Sequence, residues 1–177
     1  PVDIVSPDGP MPVTLIDTAG LRQRREVHTA VEMFSVMPAE NAIKRCDVTL
    51  FVLDAAAPAT AQDRRIARLI IDHRRPCIIV ANKWDLASRE TRLADLRDTL
   101  RTKMGFLEYP PVLAVSALSG YNFKALVASL HALRAQLDVR VPTGLLNQYL
   151  RDVFARTPPP SGAGNRFFKF YYATMLG

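Results

Sequence analysis

The chain has 177 residues, of which 49% are hydrophobic and 23% are charged. This composition is sufficient for a buried core in one domain, or in one domain and part of another, and it excludes a largely disordered chain. The formal net charge of +6 is compatible with an anionic partner such as nucleic acid, although charge does not define a fold.

The first predicted element is a β-hairpin. Residues 2–5 are mostly apolar and favour a strand. Residues 6–10 are rich in Pro, Gly, Ser and Asp, which is typical of a turn. Residues 13–16 favour a second strand that ends at Asp17, so the three segments together predict a hairpin.

A mixed and basic stretch follows, and it ends in a helical pattern. The pattern covers residues 30–36 and is repeated over residues 39–45. Pro38 separates the two pieces. Because proline has no N–H group to donate, it fits best in the first turn of the second piece, where no donor is needed.

Three unbroken apolar runs come next, and each is followed by a polar residue. The runs are residues 48–53, 77–81 and 112–115. Short runs of this kind are typical of parallel strands that are buried on both faces. Helical patterns accompany them at residues 61–72, 89–104 and 122–137. The alternation predicts an α/β sheet with ligand-binding residues at the carboxyl ends of its strands.

The composition changes near residue 142, where we place a domain boundary between residues 1–141 and 142–177. The second segment is predicted to contain a helix, a loop rich in Pro and Gly, and an aromatic strand, at residues 143–156, 157–164 and 166–173. Thr143 is the predicted N-cap of that helix. We interpret this segment as part of a second α/β module.

Asp17-Thr18-Ala19-Gly20 directly follows the second predicted strand. A carboxylate there can orient Mg²⁺ through water, because Mg²⁺ prefers octahedral oxygen ligands and keeps several waters. A glycine three residues later lets a backbone N–H group approach a terminal phosphate. The pattern is short, and a simple turn at the end of a strand is the commoner reason for it.

Asn82-Lys83-Trp84-Asp85 follows the second apolar run. The Asp85 carboxylate can accept hydrogen bonds from N1–H and from the exocyclic amine of guanine, whereas adenine has neither donor at that edge. The Lys83 stem can lie along the base while its ammonium group supports the loop. A helix cap after a strand is the alternative interpretation.

Ser116-Ala117-Leu118 follows the third apolar run. A small residue here allows a backbone N–H group to reach O6 of guanine, which adenine replaces with a donor. The motif is weak by itself. All three motifs occur in order after apolar strands, and together they predict a guanine-nucleotide-binding fold.

These motifs and the tail Phe168-Lys169-Phe170-Tyr171-Tyr172-Ala173-Thr174 resemble the second GTPase domain of the Der (EngA) family and the start of its KH-like domain. The resemblance implies an α/β fold of the P-loop GTPase type with a mostly parallel sheet, followed by a partial KH-like module. It also implies a factor that hydrolyses GTP during assembly of the bacterial large ribosomal subunit.

When the roles of the family's residues are carried over by position, the resemblance implies that Asp17 and Gly20 are catalytic. It also implies that Asp17 is the carboxylate on the side of the site where Mg²⁺ binds, through water. The implied contacts with GTP or GDP are Asp17, Thr18, Ala19, Gly20, Asn82, Lys83, Asp85, Ser116, Ala117 and Leu118. Leu21 stands where many small GTPases have a glutamine that orients water. Because an apolar side chain cannot do this, the family resemblance suggests a bound K⁺ instead.

No Gly-x-x-x-x-Gly-Lys-[Ser/Thr] motif occurs in the sequence. Its amides, lysine and hydroxyl would hold the phosphates and Mg²⁺. The strand before it would lie between the strands that end at Asp17 and Leu53, so we expect those two edges to lack a partner. We interpret the chain as truncated, and a degenerate relative is the alternative. Either way, we expect weak or no GTP binding and no activity from this chain alone.

Basic and aromatic residues alternate in residues 143–177, which is compatible with RNA binding or with the core of a small module. A nucleotide-independent scaffold for RNA or the ribosome is therefore the alternative function. The family resemblance implies the large ribosomal subunit and ribosomal RNA as partners, and we expect a monomer. The sequence has no targeting pattern and no apolar run of about 20 residues, so we expect a cytoplasmic protein without a membrane span. In that compartment Cys46 and Cys77 are expected to be reduced thiols.

Overall fold

The structure is a computed structural model that describes residues 2–6, 9–17, 36–87, 91–157 and 169–175. The chain divides into two units, Pro1–Arg134 and Ala135–Gly177. The assignment of residues 1–141 to a GTPase domain and of residues 142–177 to a KH-like domain stays a prediction. The α/β class of the fold is confirmed by the strands and helices of the first unit.

The first two strands form the predicted hairpin. Strand β1 (Val2–Ser6) pairs antiparallel with β2 (Gly9–Val13), from Val2 opposite Val13 to Ser6 opposite Gly9. The prediction of a second strand at residues 13–16 was wrong. Because Val13 pairs with Val2, residues 14–16 lie beyond the last pair of the ladder.

The parallel sheet has the order β3–β4–β5, with strands Thr49–Asp54, Cys77–Asn82 and Val112–Ala114. Residues 77–81 of the central strand are all buried, as expected for a strand covered on both faces. Among the described residues, β3 pairs with β4 alone and the hairpin forms a separate sheet. Val52 on β3 is 56% exposed, so one face of this strand is only partly covered. The expectation that the sheet lacks its first strand stays a prediction.

Helices cover both faces of the parallel sheet. They are α1 (Val36–Arg45), α2 (Ala61–Asp72), α3 (Leu93–Met104) and α4 (Phe123–Leu137). One core cluster joins residues of α1, α2 and α3 with Phe51, Leu53 and Ile79 of the strands. The second cluster joins Leu126 of α4 with Ile78. Because neighbouring strand residues point to opposite faces, the single apolar run of β4 supplies both clusters.

Two helix starts show how local chemistry sets the bounds. At α2, Thr60 Oγ1 accepts a hydrogen bond from the Asp63 amide, and the Asp63 carboxylate accepts one from the Thr60 amide. This capping box fixes the predicted start at Ala61. Helix α1 begins at Val36, so Pro38 lies in its first turn. The predicted helical residues 30–35 lie outside the described part of the chain.

The second unit contains helix α5 (Thr143–Arg156) and the described tail residues 169–175. Thr143 is the first helical residue and Pro142 is the N-cap, so the predicted capping role of Thr143 was wrong. The predicted strand at residues 166–173 is not formed over its described part, residues 169–173. Instead of pairing with a strand, Ala173 exchanges two hydrogen bonds with the side-chain amide of Asn147.

The buried Asn147 amide replaces strand pairing for the tail. Its nitrogen donates to the carbonyl oxygens of Thr143 and Ala173 at 2.7 and 2.8 Å, and its oxygen accepts from the Ala173 amide at 2.9 Å. The Phe154 and Phe170 rings also pack, with their centroids 5.2 Å apart. Within the described ranges, no helix combines the length and the apolar character that crossing a membrane requires.

Candidate nucleotide-binding site

The candidate site lies where the three parallel strands end. Asp54 is the partner of Asn82 in the register of β3 and β4. The next residues continue the pairing, since the Ala55 amide donates to the Asn82 carbonyl oxygen at 2.9 Å. On the other side of β4, the Val115 amide donates to the Ala81 carbonyl oxygen at 2.9 Å. The loops after all three strands therefore start at one edge of the sheet, as predicted.

The loop after β4 turns sharply at Lys83. Its backbone is in the left-handed region, with φ 63° and ψ 34°. The Trp84 amide then donates to the Val115 carbonyl oxygen at 3.1 Å, which ties this loop to the end of β5. A single 3-10 turn, Trp84–Leu86, follows and is closed by the Leu86 amide on the Lys83 carbonyl oxygen. Asp85 lies in this turn and is exposed, so its carboxylate is open to a ligand.

A side-chain hydrogen bond joins the two predicted base-recognition loops. The Ala117 amide donates to Oδ1 of Asn82 at 3.0 Å, across 35 residues of sequence. The structure thus brings Asn82, Lys83 and Asp85 next to the loop that begins at Ser116. It also gives the Ala117 amide a partner within the protein. The expected contact of a backbone amide of this loop with O6 of guanine stays a prediction.

The loop after β5 is built around Ser116, whose side chain is fully buried. Its Oγ accepts from the Ser119 amide at 3.2 Å, and its backbone forms a bridge with Tyr121. Gly120 has φ 74°, a left-handed conformation that glycine adopts without a steric cost. These contacts hold the loop closed and direct Leu118 outward, where it is 89% exposed.

One residue of the site was missed by the sequence reasoning. Nζ of Lys83 lies 2.7 Å from Oδ2 of Asp54, and Oδ1 of Asp54 accepts from the Ala56 amide at 2.9 Å. The hydrogen bond from Lys83, followed by that from Ala56, holds the pKa of Asp54 below its ordinary value. The Asp54 carboxylate in turn raises the pKa of Lys83. A polar residue at the end of the run 48–53 was the available signal, because parallel pairing places it beside Asn82.

Of the residues predicted for the phosphate side of the site, the structure describes only Asp17. Asp17 is exposed and lies four residues after the end of β2. Thr18, Ala19, Gly20 and Leu21 lie outside the described residues, so their predicted roles stay predictions. In the part of the chain that the structure describes, no group of three or more His, Cys, Asp or Glu residues could hold a metal ion.

The described residues therefore fit the two ends of GTP unequally. The loops at Asn82 and Ser116, which are predicted to contact the base, contain an exposed carboxylate and a closed backbone turn. For Mg²⁺ and the phosphates, the described residues supply the single carboxylate of Asp17, which is not a metal site by itself. The assignment of Asp17 to the magnesium side remains a prediction.

The fold and the paired loops define a class of nucleotide-binding domain, and comparison with known families agrees. Residues 11–136 match the family model described as "Elongation factor Tu GTP binding domain". Because the match covers more than half of the chain, the chain belongs to this family of GTP-binding domains.

Within that class, similar proteins include GTPases called Der. The GTPase Der of Akkermansia muciniphila is 40% identical over 168 residues, which are 92% of this chain and 36% of that protein. The GTPase Der of Moorella thermoacetica is 39% identical over 163 residues, which are 92% of this chain and 37% of that protein. The resemblance to the Der family is confirmed. The chain spans just over a third of the length of these relatives.

Two solved structures are similar to part of the chain. The structure of Era in complex with MgGDPNP and nucleotides 1506–1542 of 16S ribosomal RNA is 29% identical, with a TM-score of 0.49, over 56% of this chain and 32% of that chain. A probable GTP-binding protein engB is 21% identical, with a TM-score of 0.47, over 57% of this chain and 64% of that chain.

Proposed function

We propose that this chain is the guanine-recognising part of a GTPase that acts in assembly of the bacterial large ribosomal subunit. The observation that carries the proposal is the hydrogen bond between Asn82 and Ala117, because it joins the two loops that the sequence predicts for base recognition. The exposed carboxylate of Asp85 lies in the first of these loops. The match of residues 11–136 to a GTP-binding domain family supports the same assignment.

In this proposal the chain selects guanine by the donors at its edge. Asp85 accepts hydrogen bonds from N1–H and from the exocyclic amine, and a backbone amide of the loop at Ser116–Leu118 donates to O6. Adenine presents an acceptor at N1, no amine at that edge, and a donor in place of O6. It would leave the carboxylate desolvated and unpaired, which is the costly outcome that produces discrimination.

The proposed catalytic part is the segment Asp17-Thr18-Ala19-Gly20, with Asp17 on the magnesium side and Gly20 facing a phosphate. Bound Mg²⁺, and K⁺ as implied by the family resemblance, would neutralise charge on the phosphates. The parent protein is proposed to hydrolyse GTP. The sequence of this chain contains no Gly-x-x-x-x-Gly-Lys-[Ser/Thr] motif, so we propose that it binds GTP weakly or not at all and is inactive alone.

Calorimetry with GTP and Mg²⁺ tests this last point directly. We expect no measurable heat of binding at micromolar concentrations of the chain. A dissociation constant in the micromolar range would contradict it, because the described residues would then hold the phosphates without that motif.

A substitution at Asp85 tests base recognition. Replacing the carboxylate by an amide in Asp85→Asn offers one donor and one acceptor, which suit xanthine, whose C2 carbonyl replaces the amine of guanine. We expect weaker GDP binding and stronger xanthosine diphosphate binding, both followed by NMR at millimolar nucleotide. Asp63→Asn, in the capping box of α2, is the control and should leave the preference unchanged. No change of preference in Asp85→Asn would contradict the proposal.

We propose that the protein is a cytoplasmic monomer and that its partners are ribosomal RNA and the large ribosomal subunit. A nucleotide-independent RNA scaffold is the second candidate, favoured by the exposed aromatic rings of Tyr149 and Tyr171 in the second unit. The two differ in their response to nucleotide. Binding of ribosomal RNA that is equal in Asp85→Ala and the unchanged chain, with and without GDP, would favour the scaffold.

A further inference from the structure

The end of β3 contributes a residue to the candidate site that none of the predicted motifs contains. Asp54 is the last residue of β3, and Lys83 follows its register partner Asn82 on β4. The two side chains are 29 residues apart in sequence, and Nζ of Lys83 lies 2.7 Å from Oδ2 of Asp54. The contact therefore ties the predicted base-recognition loop to a strand outside it.

The Asp54 carboxylate is itself fixed. Its second oxygen accepts a hydrogen bond from the Ala56 amide at 2.9 Å, so both oxygens have a partner. The pair is exposed to solvent, with Lys83 at 55% and Asp54 at 37%, so the second hydrogen bond is what restrains this carboxylate more than a singly bonded surface carboxylate. The raised pKa of Lys83 and the lowered pKa of Asp54 agree with a pair that is charged on both sides.

Lys83 needs such a restraint because of its backbone. A φ of 63° is a left-handed conformation that residues with a β-carbon rarely adopt. The conformation also decides where the following turn points, since the Leu86 amide closes on the Lys83 carbonyl oxygen at 2.9 Å. Asp85 lies inside that closed turn. A change at Lys83 would therefore redirect the carboxylate of Asp85.

We propose that Asp54 is a positioning residue for guanine recognition: it anchors the Lys83 ammonium group and thereby holds the turn that presents Asp85 to the base. The inference rests on the proposed function, because it assumes that Asp85 binds guanine. Asp54 itself touches neither base nor phosphate in this account. Its effect is on the choice of base and not on the phosphates.

The test compares two nucleotides that differ only at the group Asp85 is proposed to bind. GDP has the exocyclic amine, and inosine diphosphate (IDP) lacks it. Binding of each is measured on the whole chain by ¹H–¹⁵N NMR titration into the millimolar range. For the unchanged chain we expect GDP to bind roughly tenfold or more tightly than IDP, the scale of one hydrogen bond to a charged group. For Asp54→Ala we expect that ratio to fall close to one.

Two further variants distinguish positioning from a general loss of structure. Lys83→Met keeps the apolar stem and removes the ammonium group, and we expect it to lower the ratio as Asp54→Ala does. Because the two residues act through one contact, the double variant should be no worse than either single variant. Asp54→Asn keeps an acceptor for the Ala56 amide and should lower the ratio less than Asp54→Ala, which also provides a variant if Asp54→Ala does not fold.

Glu40→Gln is the matched control. Glu40 forms an exposed ion pair with Lys44 on α1, also with 2.7 Å between nitrogen and oxygen, and neither residue belongs to the site. We expect this variant to leave the ratio of GDP to IDP affinity unchanged. A lowered ratio in Glu40→Gln would overturn the inference, since loss of any surface pair would then have the same effect.

The outcomes separate this inference from the proposed function. If the unchanged chain binds GDP and IDP equally, or binds neither in the millimolar range, guanine recognition by this chain is wrong and the inference ends with it. If the unchanged chain prefers GDP and both Asp54→Ala and Asp54→Asn keep that preference, the inference alone is overturned. The inference would also be overturned if the double variant lowered the ratio of GDP to IDP affinity by the product of the factors for Asp54→Ala and Lys83→Met.

Discussion

Oδ1 of Asn82 lies 3.0 Å from the backbone nitrogen of Ala117, and this one hydrogen bond joins the loops that follow the second and third parallel strands. The Trp84 amide strengthens the connection by donating to the Val115 carbonyl oxygen. The two loops were predicted from short motifs that are 34 residues apart from Asn82 to Ser116. Their contact brings two separate sequence patterns together in one candidate site for a base.

Removing the Asn82 side chain should expose the Ala117 amide. In Asn82→Ala we expect hydrogen exchange at Ala117 to be roughly tenfold faster, the scale of one lost hydrogen bond. Asn82→Asp keeps an acceptor oxygen in the same place and should preserve most of the protection. Exchange followed by NMR is the measurement, and equal exchange in Asn82→Ala and the unchanged chain would show that the contact does not form in solution.

The two cysteines should differ in reactivity. Cys77 is buried at the start of β4, and burial raises the pKa of its thiol to about 12. Cys46 is only half-buried. Because the thiolate is the reactive form, we expect iodoacetamide at pH 8 to modify Cys46 and to leave Cys77 intact until denaturant is added. Mass spectrometry of the peptides measures this, and equal labelling of both thiols in the folded chain would contradict the buried position of Cys77.

Two neighbouring isoleucines on α2 test the position of the core. Ile70 has no exposed surface, and Ile71 is only partly buried. Ile70→Ala should lower the free energy of unfolding by about 2–5 kcal/mol, through lost burial and the cavity left behind. Ile71→Ala is the matched control with the same chemical change and should cost clearly less. Urea denaturation gives both free energies of unfolding. A larger decrease for Ile71→Ala than for Ile70→Ala would show that the face of α2 with Ile70 is not the one packed in the core.

The contact between Asp54 and Lys83 is expected to persist over a defined pH range. The pKa of Asp54 is lowered from 3.8, so its stabilising contribution is present above that value and is lost as the pH falls through the lowered pKa. The pKa of Lys83 is raised from 10.5, so its contribution is present below 10.5 and is lost as the pH rises through the raised pKa. We therefore expect the contact to be constant from roughly pH 5 to 9.

NMR titration of the Asp54 side-chain carbon tests this range. In Lys83→Met we expect the midpoint of Asp54 to move upward, toward the ordinary value for an aspartate. An unchanged midpoint would mean that Lys83 is not the partner that lowers the pKa of Asp54. Glu40→Gln, remote from the pair, should leave the midpoint where it is in the unchanged chain.

The parts of the fold that were predictable from sequence are those set by local patterns. The run at 77–81 is apolar throughout because both faces of β4 are covered, and this indicated its strand directly. The bounds of α2 were predicted as observed, and Thr60 and Asp63 supply the cap that starts this helix. Local signals of this kind need no knowledge of the neighbours in space.

The errors and omissions depended on partners far away in sequence. Strand β2 covers Gly9–Val13, which pair with Val2–Ser6, and residues 13–16 do not reveal this register. The tail was predicted as a strand from its aromatic residues, yet Asn147 of α5 takes the hydrogen bonds of Ala173 that a neighbouring strand would otherwise provide. The contact of Lys83 with Asp54 was missed for the same reason, because it depends on the register of two parallel strands.

The most direct test of guanine recognition is an NMR titration of the unchanged chain with GDP and, separately, with ADP, each into the millimolar range. The account predicts that GDP shifts the amide signals of Asp85, Ala117 and Leu118, and that ADP at the same concentrations does not. Because the two nucleotides carry the same phosphates, any difference reports on the base. Equal shifts with both nucleotides, or shifts with ADP alone, would contradict the claim that these loops recognise guanine.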